Sequence, residues 1–381
     1  EIILNTNNYR RNILKKILFV ATVDVHILQF HLPYLEYFKK NGYEVHVATN
    51  GNEKIPYCDK KHKISVERSP IKINNLKAIK QLKKIIEEEK FETIHCHTPM
   101  GSVVTRLASK EARKRYNTKV IYTAHGFHFY KGAPLFNWLI FYPIEKWLSK
   151  YTDILITINE EDYNIAKKKF KTKDIELVHG VGVDINKFDF EMSENEKHKL
   201  RKSIGLNDED FVMIYIAELS KRKNQEMLLN AMKQLVKEDK TIKLLLVGKD
   251  SLNGKLQKIA RKNRLENNVF FLGYRTDIPK LLKISNLLVS TSRQEGLPVN
   301  VMEGLMAGLP AVVTNCRGNR DIIQNEKNGF IVENMKQLIE KILQTKGNYE
   351  ELYNMNKNHT EMEKFSLENV MKEMGSIYTK G

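Results

Sequence analysis

Cysteine is scarce: the 381-residue chain has three, Cys58, Cys96 and Cys316, far apart and without a C-x-x-C pair. That excludes a disulfide scaffold and a zinc ribbon and suits a reducing compartment. Long apolar runs are missing too. The longest, Leu135 to Ile144 (LFNWLIFYPI), is about half of what spans a bilayer, so it can lie at an interface but cannot cross one. The opening residues Glu1 to Asn12 are polar and the Ile17–Ala21 run is too short for a secretory h-region, so a cytoplasmic location is expected. No helix-turn-helix, aromatic RNA-binding string or C-x-x-C finger is present, and no nucleic-acid partner is expected. What is abundant is positive charge, a formal +17. Residues 1–180 carry 31 Lys and Arg against 19 Asp and Glu, most of the excess. A basic first half suits anionic lipid or a pyrophosphate-bearing substrate. Lysine on solvated faces gives the same composition without any partner.

The length fits two domains of roughly 150 to 200 residues. Short β-branched runs alternate with helical patterns from Lys16 to about Val178: KILFVAT (16–22), YEVHVAT (43–49), ETIHCH (92–97), KVIYTAH (119–125), DILITI (153–158) and IELVH (175–179). Helices are expected at 29–40, 75–90, 100–115, 135–150 and 160–170. A second cycle runs through FVMIYIA (211–217), LLLVG (244–248), VFFLG (269–273), LLVST (287–291) and PAVVT (310–314), with helices near 223–237, 252–263, 277–284, 298–307 and 335–345. Alternation of this kind predicts βαβ units and parallel sheets. The expected organisation is a first doubly wound domain over 13–180, a linker over 181–210, a second doubly wound domain over 211–345, and a helical segment over 346–381.

The stretch Ser292 to Gly308, SRQEGLPVNVMEGLMAG, follows a strand and opens a helix. Gly296 permits close backbone approach, and Pro298 has no amide to leave unpaired in the first turn. The amides of Leu297, Val299 and Asn300 are expected to point out of the helix N-terminus, where they and the helix dipole favour an anion such as a diphosphate. Glu295 and Glu303 stand eight apart. Each carboxylate can accept two hydroxyl hydrogen bonds, so one can hold sugar hydroxyls and the other a ribose diol. Two ordinary acidic residues near a helix start are the plainer alternative.

These residues resemble glycosyltransferase family 4, whose members carry E-x7-E, a GT-B fold and configuration-retaining transfer. FLGYRTDIPKLL (271–282) and STSRQEGLPVNVMEGLMAGLPAVVT (290–314) are similar to the family almost throughout. The resemblance implies two Rossmann-like α/β domains facing a central cleft, with a C-terminal helix that in such proteins crosses back to the first lobe. Glu295 falls on the glutamate that approaches the donor sugar, and Glu303 on the one at the nucleotide ribose. In AELSKRKNQEML (217–228), Lys223 matches the phosphate-binding lysine, whereas Ala217 and Asn224 replace glycines and Glu218 stands where many members have arginine. Arg222 or Lys221 is a candidate to compensate, and Tyr274 and Arg275 join Gly296, Leu297, Pro298 and Val299 as expected donor contacts. TAHGFHFYKG (123–132) resembles the loop whose histidine, here His125, lies against the donor sugar. HCHTPMGSVVTRLA (95–108) places His97 at a strand end and Arg106 in the following helix. Relatives have a glycine-rich loop after the first strand, yet no glycine occurs between Lys16 and Asn41. Thr22, Asp24, His26 and His31 are therefore candidates for the acceptor side, with His97 and Arg106.

The implied reaction is metal-independent: His125, Lys223 and Glu295 are the expected catalytic residues, and no cofactor or metal ligand is expected beyond the nucleotide sugar. The chain's one D-x-D, Asp208 to Asp210, reads as a solvated turn. A UDP-sugar donor, with an N-acetylated hexosamine as the sugar, a lipid-linked saccharide acceptor and cell-surface polysaccharide synthesis follow from the resemblance to capsule and exopolysaccharide transferases. The segment KGAPLFNWLIFYPIEKWLSK (131–150), with Trp138, Trp147, Phe136, Phe141 and Tyr142 beside Lys131, Lys146 and Lys150, suits the headgroup zone of an anionic inner leaflet. A UDP-sugar 2-epimerase or a non-catalytic nucleotide-sugar binder is the rival reading.

Overall fold

The computed structural model describes residues 14–357 and 362–380. It divides after Leu177 into two compact units. The first contains β1 (Lys16–Val20), α1 (Asp24–Phe30), α2 (Leu32–Lys40), β2 (Glu44–Thr49), β3 (Lys60–Lys63), α3 (Asn74–Glu89), β4 (Thr93–His97), α4 (Pro99–Ala108), α5 (Lys110–Arg115), β5 (Lys119–Ala124), α6 (Leu135–Leu148), β6 (Ile154–Thr157), α7 (Glu160–Lys169) and β7 (Asp174–Leu177). Its seven strands are all parallel, in the order β3-β2-β1-β4-β5-β6-β7.

The second unit contains α8 (Glu194–Ile204), β8 (Phe211–Ile216), α9 (Gln225–Glu238), β9 (Ile242–Val247), α10 (Lys255–Lys262), β10 (Val269–Gly273), α11 (Ile278–Lys283), β11 (Leu287–Ser290), α12 (Val299–Met306), β12 (Ala311–Thr314), α13 (Arg317–Ile322), β13 (Gly329–Val332), α14 (Met335–Gly347), α15 (Tyr349–Lys357) and α16 (Leu367–Thr379). Its six strands are also parallel, ordered β10-β9-β8-β11-β12-β13.

The central strands are continuous apolar runs because both of their faces are covered, as parallel sheets require. Ile17, Leu18, Phe19 and Val20 of β1 are wholly buried, at about 1.5–3 kcal/mol for each such side chain. In each sheet the order reverses once, between β1 and β4 and between β8 and β11, and ligands of open α/β sheets bind beyond the carboxyl ends at that point.

Five elements escaped the sequence reading, α1 among them, because the first helix was expected only from residue 29. β3 is KKHK, too charged for a strand signal, and sits at a sheet edge; β13 has only four residues. Within 181–210, expected as a linker, the structure forms α8, closed by a capping box between Ser193 and Glu196 and by left-handed Gly205. α13 was likewise unexpected. Within the second unit, α16 is tied to that unit's first residues: Val183 exchanges backbone bonds with Phe365 and Leu367, and Glu373 accepts from the His179 amide. Residues 1–13 of the expected polar N-terminus lie outside the described residues.

Candidate active site

In the second unit the loops after β8 and β11 are stitched together from below. The buried Tyr215 hydroxyl of β8 bonds Ser292 Oγ at 2.7 Å and the Lys223 carbonyl at 2.9 Å, and Thr291 Oγ1 donates to the Asn224 carbonyl at 2.9 Å. Asn224 adopts φ 54° and ψ 38°. Left-handed backbone is open to asparagine as well as glycine, which explains the departure from the family at this position. The result places Lys223 Nζ 2.5 Å from Glu295 Oε1 and Arg222 3.2 Å from Glu295 Oε2. A buried carboxylate is tolerated here because two cations and their hydrogen bonds offset its lost hydration. Arg222 thus stands at Glu295. Glu218 is turned to Ser251, whose hydroxyl it accepts.

Glu295 leads through Gly296 and Leu297 into α12. Pro298, expected inside the first turn, occupies the N-cap position with extended backbone (φ −78°, ψ 113°). The amides of Val299 and Asn300 begin the helix and have no carbonyl four residues back to bond, as at any helix start. Asn300 is 8% exposed, and its Nδ2 has no partner among the described residues. One and a half turns on, the Glu303 carboxylate makes no hydrogen bond to a described residue. Burial raises its carboxyl to about 7, opposed only by the charge of Lys187. A desolvated carboxylate without donors is suited to accept them from a diol.

Arg317, Gly318 and Gly180 support this loop; the first two went unread in the sequence, and Gly180 belongs to the GVGVD string (180–184), which resembles a family segment at the hinge. A Cβ on Gly318 of α13 would stand 2.3 Å from the Gly296 carbonyl oxygen, and Arg317 Nε donates to the Glu295 carbonyl at 2.9 Å. Gly180, with φ +89°, packs its Cα side against Leu297. For the first two, the glycine after β12 was the available signal. Tyr274 is exposed, while Arg275, expected at the donor, is held by Asp277 through Nε at 2.7 Å.

In the first unit, the strand ends β1, β4 and β5 bring Thr22, His97 and His125 to one edge of the sheet. Thr22 Oγ1 bonds Thr98 Oγ1 at 2.7 Å, and Thr98 holds a left-handed φ of 63°. The close approach that a glycine-rich first loop would have allowed is supplied from the other side. A Cβ on Gly101 of α4 would press on Thr98 Oγ1 at 2.7 Å and on the Ala21 backbone at 3.2 Å. His26 and His31 of the α1 segment meet His97 and His125. Burial holds His31, His97 and His125 well below the ordinary imidazole range and brings His26 down to about 4, so all four are neutral at neutral pH. A cavity of about 710 Å³ adjoins them, lined by His26, Arg68, Thr98, Gly126, Phe129 and Phe141 among others.

Two acceptor-side candidates have other work. Arg106 is 1% exposed, ion-paired to Glu145 at 2.8 Å, bonded to Ser102 and stacked on Tyr122, so it fastens α4 to α6. Asp24, buried beneath Gly51, accepts from Lys61, Thr49 and the Glu53 amide; these bonds hold its carboxyl below the usual range against the opposing effect of burial. α6 splits into two faces. Trp138, Phe141 and Tyr142 pack inward, whereas Leu135, Phe136, Leu139, Ile140, Ile144 and Trp147 are exposed.

Residues 16–159 match the family described as Glycosyl transferase 4-like, and residues 196–362 the one described as Glycosyl transferases group 1. The chain is 46% identical to EpsD of Bacillus subtilis over 320 residues covering 84% of each chain. This chain belongs to glycosyltransferase family 4. The glycosyltransferase is also 29% identical to the UDP-Gal:alpha-D-GlcNAc-diphosphoundecaprenol alpha-1,3-galactosyltransferase of Escherichia coli, over 68% of this chain and 67% of that one. In fold it is similar to HepE of Anabaena, solved with UDP-glucose, at a TM-score of 0.77 and 19% identity over 96% of this chain and 99% of that one. It is an enzyme of the GT-B architecture, with two parallel-sheet α/β domains.

Proposed function

We propose that this glycosyltransferase transfers a sugar with retention from a UDP-sugar, its sugar an N-acetylated hexosamine, to a lipid-linked saccharide during cell-surface polysaccharide assembly. The observation that carries the reading is the meeting of Lys223, Arg222 and Glu295 with the start of α12. In this reading the diphosphate occupies the helix N-terminus, Lys223 and Arg222 neutralise it, Glu303 accepts the ribose hydroxyls, and Glu295 and His125 orient the sugar. The bond from the anomeric carbon to the diphosphate oxygen breaks, a bond to the acceptor oxygen forms on the same face, and the acceptor proton passes to the departing diphosphate. Stabilising the leaving group is the larger effect and positioning the second. Donor departure is thus served by side chains and amides without a metal or further cofactor.

The named substrates of the E. coli relative and the UDP-glucose held by HepE support the donor and acceptor classes. No helix among the described residues is long and apolar enough to cross a membrane. We place the enzyme at the inner face of the plasma membrane through the exposed stripe of α6, flanked by Lys131, Lys146 and Lys150. The deciding experiment is a thermal-shift screen with UDP-, GDP- and ADP-sugars, followed by turnover with a lipid-linked saccharide. Stabilisation by UDP-sugars and turnover abolished by Glu295→Ala are expected. Conversion of the free UDP-sugar to an epimer without acceptor would replace this reading with the epimerase one.

A further inference from the structure

Four imidazoles gather at the carboxyl edge of the first sheet: one ring nitrogen from each of His26, His31, His97 and His125 lies within 4.8 Å of the other three. Ring centres of His26 stand 4.9 Å from His31 and 4.8 Å from His125, and His31 stacks on His97 at 3.7 Å. A neutral imidazole carries one N–H donor and one lone pair, and a protein interior ordinarily partners both. Here both nitrogens of His31, Nε2 of His26 and Nε2 of His97 have no hydrogen-bond partner among the described residues, although His31 is 1% exposed and His97 wholly buried. Nitrogens gathered this closely suit a single bound atom rather than the spread hydroxyls of a sugar. Asp24, the acid on the same segment, is already saturated by Lys61, Thr49 and the Glu53 amide. The donor set is therefore all imidazole, which suits borderline transition metals rather than calcium or magnesium.

We propose that His26, His31 and His97 bind one divalent ion of the zinc, cobalt and nickel class, with a fourth coordination position open. His125 then serves as the outer partner: its Nε2 lies 3.4 Å from His97 Nδ1, so His97 can ligate through Nε2 while Nδ1–H donates to His125. Nitrogens sharing an ion with bonds of about 2.0–2.1 Å stand about 3.3 Å apart. Binding draws the rings inward by on the order of 1 Å and unstacks His31 from His97. Three protein ligands leave one coordination position for a water or another small ligand, and donor departure as proposed above does not pass through this ion. His26 also lines the 710 Å³ cavity with Arg68 and Thr98, so the open position is reached from there. The other cluster of this kind among the described residues, His46, His62 and Glu89, is already internally paired: His46 Nδ1 bonds His62 Nε2 at 2.9 Å, and Glu89 holds Lys16 and Lys60.

The test uses the full chain, purified without chelator or metal resin, dialysed against Zn²⁺ and separately Co²⁺, and desalted. Elemental analysis is expected to find one ion per chain, and the Co²⁺ form to show the visible absorption of low-coordinate cobalt. His26→Gln, which keeps a polar side chain, and His31→Phe, which keeps the stack on His97, should each lose roughly tenfold or more in metal affinity. His62→Ala should retain the ion. Failure of the wild type to take up stoichiometric metal, retention of it by both folded cluster variants, or its loss in His62→Ala would overturn the assignment. Stabilisation by UDP, measured on the same samples, reports on the donor reading separately.

Discussion

Replacing Glu303 by glutamine should have two effects of opposite sign. Burial holds this carboxyl at about 7 against an ordinary 4.5. A rise of that size corresponds to at most about 3 kcal/mol, and because the side chain keeps partial contact with solvent, about 1–2 kcal/mol is the better figure. The folded protein binds the proton more tightly than the unfolded chain. Below about pH 4.5 both states are protonated and the group is neutral in its effect; as pH rises from there to about 7, the unfolded chain ionises first and the folded state loses stability. Glu303→Gln removes that penalty. At about pH 8 the variant without nucleotide should be more stable by about 1–2 kcal/mol, or about 2–6 °C in Tm, with little difference near pH 4.5. With UDP the order reverses. Losing a charged acceptor for the ribose hydroxyls costs about 1.5–3 kcal/mol, so UDP binding should weaken roughly ten- to hundredfold. Thermal melts across pH and calorimetric titration with UDP check both effects. A variant less stable than wild type at about pH 8, or one that binds UDP equally well, would refute the reasoning.

Gly318→Ala puts a methyl group against the Gly296 carbonyl and must displace the loop that carries Glu295. It should cost about 1–3 kcal/mol of stability and weaken UDP binding at least tenfold, seen by melting and titration. Arg106→Met leaves Glu145 buried without its partner and should destabilise by about 3–5 kcal/mol, whereas Arg106→Met with Glu145→Leu should recover most of that loss; recovery in denaturant melts is the check. Phe136→Glu with Leu139→Glu on the exposed face of α6 should abolish sedimentation with anionic vesicles while UDP binding is unchanged, and undiminished sedimentation would remove α6 from the membrane account.

The sheets were legible because parallel strands covered on both faces announce themselves as apolar runs, and the loops that bring Lys223 to Glu295 were legible because their strings and spacing are similar to the family's. Pairings that join distant segments were not. Nothing in the local string around Arg106 shows that Glu145 will claim its guanidinium, so a buried tie was read as an acceptor contact. The missing glycine loop after β1 looked like a defect until Gly101 supplied the close approach from α4. Asn224 looked like a loss until its left-handed backbone showed that only a residue tolerant of positive φ was required. β3, with three lysines in four residues, is a strand by pairing alone.

The proposed mechanism requires a diphosphate between Lys223 and the start of α12, and affinity measured for UDP, UMP and uridine on the wild type and on Lys223→Ala tests it most directly. The wild type should bind UDP at least tenfold more tightly than UMP, the variant should lose most of that difference, and uridine should bind both proteins alike. Equal affinity for UDP and UMP in the wild type, or an unchanged preference in a folded Lys223→Ala protein, would contradict it.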